Sequence, residues 1–175
     1  CNDCVVLGPD LAGVGSWQDY LAAVLERAGD AFDIIAHHTY ASPQELRQQW
    51  ICDDLSHSID SGNDAVCFYK PGLRQVLDQA GWQGQVWITE TGYRAEPWDS
   101  AEEQQRQVTY ARIILEKQLA TPWWTHTFFY ELTDCRPAQP DCPIDGYGLT
   151  RRIRQPDETW ADNFVIKPVF HWLQD

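Results

Sequence analysis

One acidic side chain, Glu90, lies at the end of a predicted strand, the position from which a carboxylate can take part in catalysis. It ends the strand-forming run Val86-Trp87-Ile88-Thr89, and Gly92 follows before a polar segment and a long helical pattern. In α/β barrels, catalytic side chains come from the carboxyl ends of strands, at the barrel mouth. We therefore interpret Glu90 as the first catalytic candidate.

Other acidic residues lie near predicted strand ends. Asp10 follows Pro9 and is interpreted either as a turn or capping residue or as part of a binding site. Glu131 can point to either face of its strand, because side chains alternate along a strand. Asp134 is expected to belong to a loop.

The pair His37-His38 offers a single side chain to any site, because neighbours on a strand point to opposite faces. Metal ligation would favour His residues at alternate positions or one helical turn apart. A metal site built from His38, Glu90 and Asp10 is the alternative, whereas we predict no metal and no other cofactor. His126 and His171 are expected to be structural.

Composition restricts the partners of this 175-residue chain. The net charge of −13 and the isoelectric point of about 4.6 disfavour nucleic acid and anionic membrane surfaces. No apolar run has the length of a transmembrane helix. Nine Trp and seven Tyr suit either a Trp-rich core or the stacking of aromatic rings on sugars.

Six cysteines fall into three near pairs along the chain. Disulfides are favoured over free thiols, and with them a secreted or periplasmic location. Fifteen pairings are possible for six cysteines, so local pairing is a hypothesis. The candidate pairs are Cys1 with Cys4, Cys52 with Cys67, and Cys135 with Cys142.

Strands and helices are expected to alternate, as in a parallel α/β sheet. A full eight-unit barrel needs about 250 residues, so four units indicate half of a TIM (β/α)8 barrel, as one domain over 1–175. The predicted strands are 4–10, 32–40, 85–90 and 125–132. The predicted helices are 16–28, one opened by Ser42-Pro43, 70–80, 100–119 and 167–173, with a loop over 53–64 and a long loop over 133–163.

Four segments, in order, resemble the C-terminal half of a clan A glycoside hydrolase, the retaining (β/α)8-barrel enzymes that include families 5 and 39. The segment 33–40, ending in His38-Thr39-Tyr40, resembles the sixth strand of that clan. The segment 87–93 resembles the seventh strand, which carries the nucleophile, and 128–134 resembles the eighth. Tyr147-Gly148-Leu149 and Lys167-Pro168 resemble the closing stretch, and 5–10 would be strand five.

The resemblance implies roles for individual residues. Glu90 would be the nucleophile, Tyr40 would hydrogen-bond Glu90 and keep it ionised, and His38 would contact a sugar hydroxyl or the acid/base. Tyr93, Trp98 and Tyr130 are candidates for sugar stacking, with Glu131 and Asp10 as further substrate-binding candidates. Trp123 and Trp124 are expected to pack at the bottom of the barrel.

One catalytic residue expected from the resemblance is not found. The acid/base of the clan is a Glu that follows an Asn on strand four. No Asn-Glu pair occurs in this chain. An open half-barrel exposes strand edges and an apolar face, which favours a homodimer or a complementing N-terminal half-barrel. Three functions follow: a retaining glycosidase acting on carbohydrate, a non-catalytic carbohydrate-binding half-barrel, or an ester or phosphoester hydrolase that uses the same site.

Overall fold

The structure is a computed structural model, and it describes residues 4–11, 17–40, 73–134, 146–154 and 160–174. The chain divides into two compact units. The first contains 1–91 and 115–128, and the second contains 92–114 and 129–175. The single domain predicted over 1–175 stays a prediction, as do the helix opened by Ser42-Pro43 and the loop over 53–64, which lie outside the described residues.

The first unit is an α/β unit with a three-stranded sheet in the order β1-β2-β3, in which β1 and β2 are parallel. Leu7 and Leu11 form isolated parallel bridges to Ile34 and His37, so the first predicted strand is present only as these bridges. The elements of this part of the chain are α1 (Trp17–Ala28), a 3-10 turn (Gly29–Ala31), β1 (Ile34–His38), α2 (Leu73–Gln79), β2 (Gln85–Thr91), α3 (Ala101–Ala120) and β3 (Trp124–Phe129).

The core of the first unit includes the sheet, whose strand β1 is buried on both faces from Ile34 to His37. Ile35, Val86 and Ile88 are fully buried there, at alternate positions of their strands. Helix α1 contributes Leu21, which is fully buried, and Trp17, whose ring lies 4.8 Å from that of His37, whereas Tyr20 is 57% exposed. The predicted mixed α/β class with parallel strands is thereby confirmed.

The second unit corrects the long loop predicted over 133–163. Strands β4 (Thr133–Asp134), β5 (Thr150–Arg154) and β6 (Trp160–Ile166) form a second sheet, in which β4 and β5 are parallel and β5 and β6 antiparallel. The charged β5 sequence lacks the apolar alternation that signals a strand. Helix α4 (Pro168–Gln174) follows, close to the predicted helix and with Pro at its first position.

None of the helices in the described part of the chain is both long enough and apolar enough to span a bilayer.

Candidate active site

A β-bulge decides where the side chain of Glu90 points. The strands β1 and β2 pair with His37 opposite Ile88 and His38 opposite Glu90, so Thr89 is an extra residue on β2. Simple alternation would place Glu90 on the same face as the buried Ile88. The bulge shifts the register by one residue, as bulges beside active sites commonly do, and aligns Glu90 with His38 instead.

Two side chains from the end of β1 hold the Glu90 carboxylate. The Tyr40 hydroxyl donates a hydrogen bond to Oε1. The Nδ1 atom of His38 lies 3.5 Å from Oε2. The Glu90 side chain keeps 33% of its surface exposed, so the carboxylate is positioned by neighbours and still open to a ligand.

Asp10 joins the same cluster from the first segment of the chain. Its Oδ1 lies 3.0 Å from Nε2 of His38 and accepts a 2.5 Å hydrogen bond from the Thr89 hydroxyl. Both ring nitrogens of His38 therefore face carboxylate oxygens. Asp10 is 55% exposed, and its role in binding stays a prediction.

The sequence did not single out an aromatic row on β2 and β3. The Trp87 ring lies 4.3 Å from His126 and 5.9 Å from Phe128, centroid to centroid. His126 is exposed, and Phe128 is 48% exposed. The Trp87 Nε1 atom is buried without a hydrogen-bond partner in the described part of the chain. Alternation along β3 could have placed His126 and Phe128 on one face, but nothing in the sequence shows that this face is open.

Tyr93, predicted to stack on sugar, is only 3% exposed, which corrects that prediction. Its hydroxyl donates a 2.8 Å hydrogen bond to Glu103, and its ring packs on Tyr110. Burial raises the pKa of Tyr93 above its ordinary value of 10.0, and the Glu103 hydrogen bond adds to that rise. Tyr93 therefore acts as a core residue of the second unit.

The other predicted sugar-binding residues belong to the second unit. The Arg151 guanidinium lies 4.3 Å from the centre of the Trp98 ring and covers one face of it. Tyr130 and Tyr147 pack edge to face, and Glu131 is half-buried. Their substrate-binding roles stay predictions.

Asp134 lies in a buried network rather than in an exposed loop. Its Oδ2 accepts a 2.7 Å hydrogen bond from Lys167 Nζ, and both side chains are fully buried. Its Oδ1 accepts the backbone N–H groups of Gly146 at 3.0 Å and Gly148 at 2.7 Å. Burial lowers the pKa of Lys167 below its ordinary value of 10.5, while the hydrogen bond that Lys167 donates to Asp134 opposes the shift. Asp134 thus holds the loop before β5 and is closed to a substrate.

Two further predictions concern metal ligands and disulfides. Among the described residues, no group of three His, Cys, Asp or Glu side chains is arranged to hold a metal ion. Cys4 is disulfide-bonded. The other five cysteines lie outside the described residues, so the pairings remain a prediction.

Comparison with known proteins gives fold neighbours alone. No protein-family model matches the chain, and no curated protein matches it. A monomeric β-xylosidase from Caulobacter crescentus CB15 is 20% identical, with a TM-score of 0.50 over 96% of this chain and 32% of that one.

Two β-glucuronidases are similar over a smaller share of the chain. The Faecalibacterium prausnitzii enzyme is 20% identical, with a TM-score of 0.47 over 85% of this chain and 22% of its own. The Bifidobacterium dentium enzyme, complexed with coumarin-3-O-glucuronide, is 17% identical, with a TM-score of 0.45 over 82% and 20%. This chain spans a third or less of the length of these structures, and the likeness to the β-xylosidase shows a shared fold.

Proposed function

We propose that this chain is the nucleophile-bearing part of a retaining glycoside hydrolase, with Glu90 as the nucleophile. The observation that carries the proposal is the bulged end of β2, which presents a carboxylate that is one-third exposed, accepts a hydrogen bond from Tyr40 and is faced by His38. The fold shared with a β-xylosidase is consistent with it, since catalytic groups of barrel enzymes lie at the carboxyl ends of strands.

The cluster suits the first step of retention. One Glu90 oxygen attacks the anomeric carbon, the glycosidic C–O bond breaks, and the leaving oxygen takes a proton from an acid. Water then cleaves the glycosyl ester and releases Glu90. Tyr40 holds Oε1 and His38 faces Oε2, so the carboxylate has a fixed orientation before substrate arrives.

The acid would come from outside this cluster. We propose that the chain forms half of a (β/α)8 barrel and that a complementing half-barrel, or a second copy in a homodimer, supplies it. Exposed apolar side chains on the first unit support this proposal, because they favour association. They are Val5, Val6, Leu7 and Phe128, which are 60%, 44%, 38% and 48% exposed. A secreted or periplasmic location belongs to the same proposal and rests on the cysteines.

A covalent trap tests Glu90 without requiring an acid. A 2,4-dinitrophenolate leaving group departs from the anomeric carbon without protonation, so the 2,4-dinitrophenyl 2-deoxy-2-fluoro-β-xyloside and the corresponding β-glucuronide report the nucleophile alone. We expect mass spectrometry to find one fluoroglycosyl group on the peptide that contains Glu90. Glu90→Gln should abolish this labelling, whereas Glu96→Gln, a change to an exposed carboxylate paired with Arg94, should retain it.

The same experiment separates the alternatives. Saturable sugar binding by a protein that neither probe labels would overturn the nucleophile and favour a carbohydrate-binding half-barrel. Labelling of any residue other than Glu90 would overturn the assignment as well. An ester or phosphoester hydrolase would turn over nitrophenyl acetate or phosphate and lose that activity in Glu90→Gln.

A further inference from the structure

A cavity of about 480 Å³ opens in the first unit, at the opposite end of β2 from Glu90. It is lined by the start of β2 at Gln83, Gly84 and Gln85 and by Trp123, directly before β3. Five residues of strand separate Gln85 from Glu90, a distance of about 17 Å. The volume falls within the range of about 300–1,000 Å³ that is usual for small-molecule sites.

An ion pair and an aromatic ring build one wall of this cavity. Arg74 Nε donates a 2.8 Å hydrogen bond to Asp78, and Nη2 donates to the carbonyl oxygen of Trp82 at 2.5 Å. The guanidinium carbon lies 5.6 Å from the centre of the Trp123 ring. Because Asp78 balances the charge of Arg74, the wall carries hydrogen-bonding groups without a net charge.

The lining also offers amide groups. Gln83 and Gln85 are exposed, and Gln85 Oε1 accepts a 3.2 Å hydrogen bond from the Thr125 hydroxyl. That bond orients the Gln85 amide and leaves its N–H₂ group as a donor. Gly84 lies between them at a close approach, since a Cβ there would stand 2.6 Å from the Trp82 ring.

These groups define the chemistry of a ligand. A flat aromatic ring packs against the C–H face of a pyranose, while amides and an Arg–Asp pair bond hydroxyl groups on its rim. An anion would gain little binding free energy from Arg74, because Asp78 neutralises its charge. A purely apolar molecule would leave the polar groups of the lining without hydrogen-bond partners. We propose that this cavity is a binding site for a neutral saccharide, separate from the cluster around Glu90.

The test follows the indole N–H signal of Trp123 by NMR in the full chain carrying Glu90→Gln. The signal is assigned as the one that Trp123→Phe removes. We expect xylohexaose or cellohexaose to shift it saturably and hexagalacturonate to leave it unmoved. Trp123→Ala should weaken the binding of the neutral oligosaccharide, followed through the backbone amide of Gln85, by at least tenfold.

Two further variants keep the test decisive. Gln83→Ala changes an exposed side chain and should weaken binding at Gln85 severalfold even if Trp123→Ala fails to fold. Trp172→Phe, a tryptophan change on α4, should leave binding unchanged. A Trp123 signal that neither neutral oligosaccharide moves, or that hexagalacturonate moves equally, overturns the proposal. The fluoroglycoside can fail to label Glu90 while the oligosaccharide still binds near Trp123. The nucleophile proposal and the saccharide-site proposal are therefore tested independently.

Discussion

Glu90 and Asp134 both lie at or near a strand end, yet their surroundings are opposite. The Glu90 carboxylate is one-third exposed, accepts a hydrogen bond from Tyr40 and is faced by His38. The Asp134 carboxylate is fully buried and is saturated by Lys167 and by two glycine N–H groups.

The difference separates a group that can react from a group that stabilises the fold. A buried, fully bonded carboxylate has no oxygen to offer a substrate, and its ion pair becomes costly once either partner is lost. An exposed carboxylate among titratable neighbours contributes little to stability and keeps its lone pairs accessible. Each prediction below contrasts these two regions, and the largest expected effect comes first.

Neutralising the two carboxylates should have unequal effects on stability. Asp134→Asn leaves the buried Lys167 ammonium without its counter-charge, so we expect the free energy of unfolding to fall by about 3–5 kcal/mol. The matched change Glu90→Gln keeps an acceptor for Tyr40 and should cost less than about 1 kcal/mol. Urea unfolding of the full chain measures both, and equal losses would contradict the comparison.

The network around Asp134 extends to Gln107, whose amide nitrogen lies 2.9–3.3 Å from the carbonyl oxygens of Tyr93, Gly146, Tyr147 and Gly148. Gln107→Leu keeps the size of the side chain and removes this donor. We expect a loss of about 1–3 kcal/mol, because buried carbonyls lose their partner. Gln105→Ala, at an exposed position of the same helix, should stay within about 0.5 kcal/mol. A small effect for Gln107→Leu would indicate that other donors hold the loop.

The pH dependence of stability should reveal the buried Tyr93. Its pKa is raised in the folded state, so the contribution of its phenol is fully present below pH 10.0 and is lost as the pH rises through the raised pKa. We therefore expect the stability difference between the wild type and Tyr93→Phe to be constant below pH 10.0 and to shrink above it. Lys167 is common to both proteins and cancels in the difference. A difference that does not change up to pH 11 would argue against the burial of this hydroxyl.

The smallest effect should come from Asp10. Its contact with His38 is largely exposed, and exposed ion pairs contribute about 0–1 kcal/mol. Asp10→Ala should therefore lower the free energy of unfolding by less than about 1 kcal/mol in urea melts. A loss as large as that of Asp134→Asn would place Asp10 in the structural class of carboxylates.

Local sequence patterns predicted much of the first unit. The helical spacing of apolar residues over 16–28 predicted α1, and the apolar run before Glu90 predicted β2. The second sheet escaped prediction because β5 and β6 carry charged and mixed residues, and their pairing joins positions that no local pattern connects. Tyr93 was assigned to sugar binding for its chain position, and tertiary packing on α3 buried it instead.

The sequence by itself determined the α/β class and Glu90 as a candidate, because strand and helix signals are local and a carboxylate after an apolar run is visible in one dimension. Tyr40 and His38 were added only by the resemblance to clan A glycoside hydrolases. Only the tertiary structure decided that Thr89 is bulged out of register, that Asp10 reaches His38 from 28 residues away, and that Asp134 is sealed by Lys167. The physical reason is that register, burial and ion pairing depend on which distant segments meet. One extra residue in a strand turns a side chain to the other face, and one distant lysine turns a reactive carboxylate into a structural one.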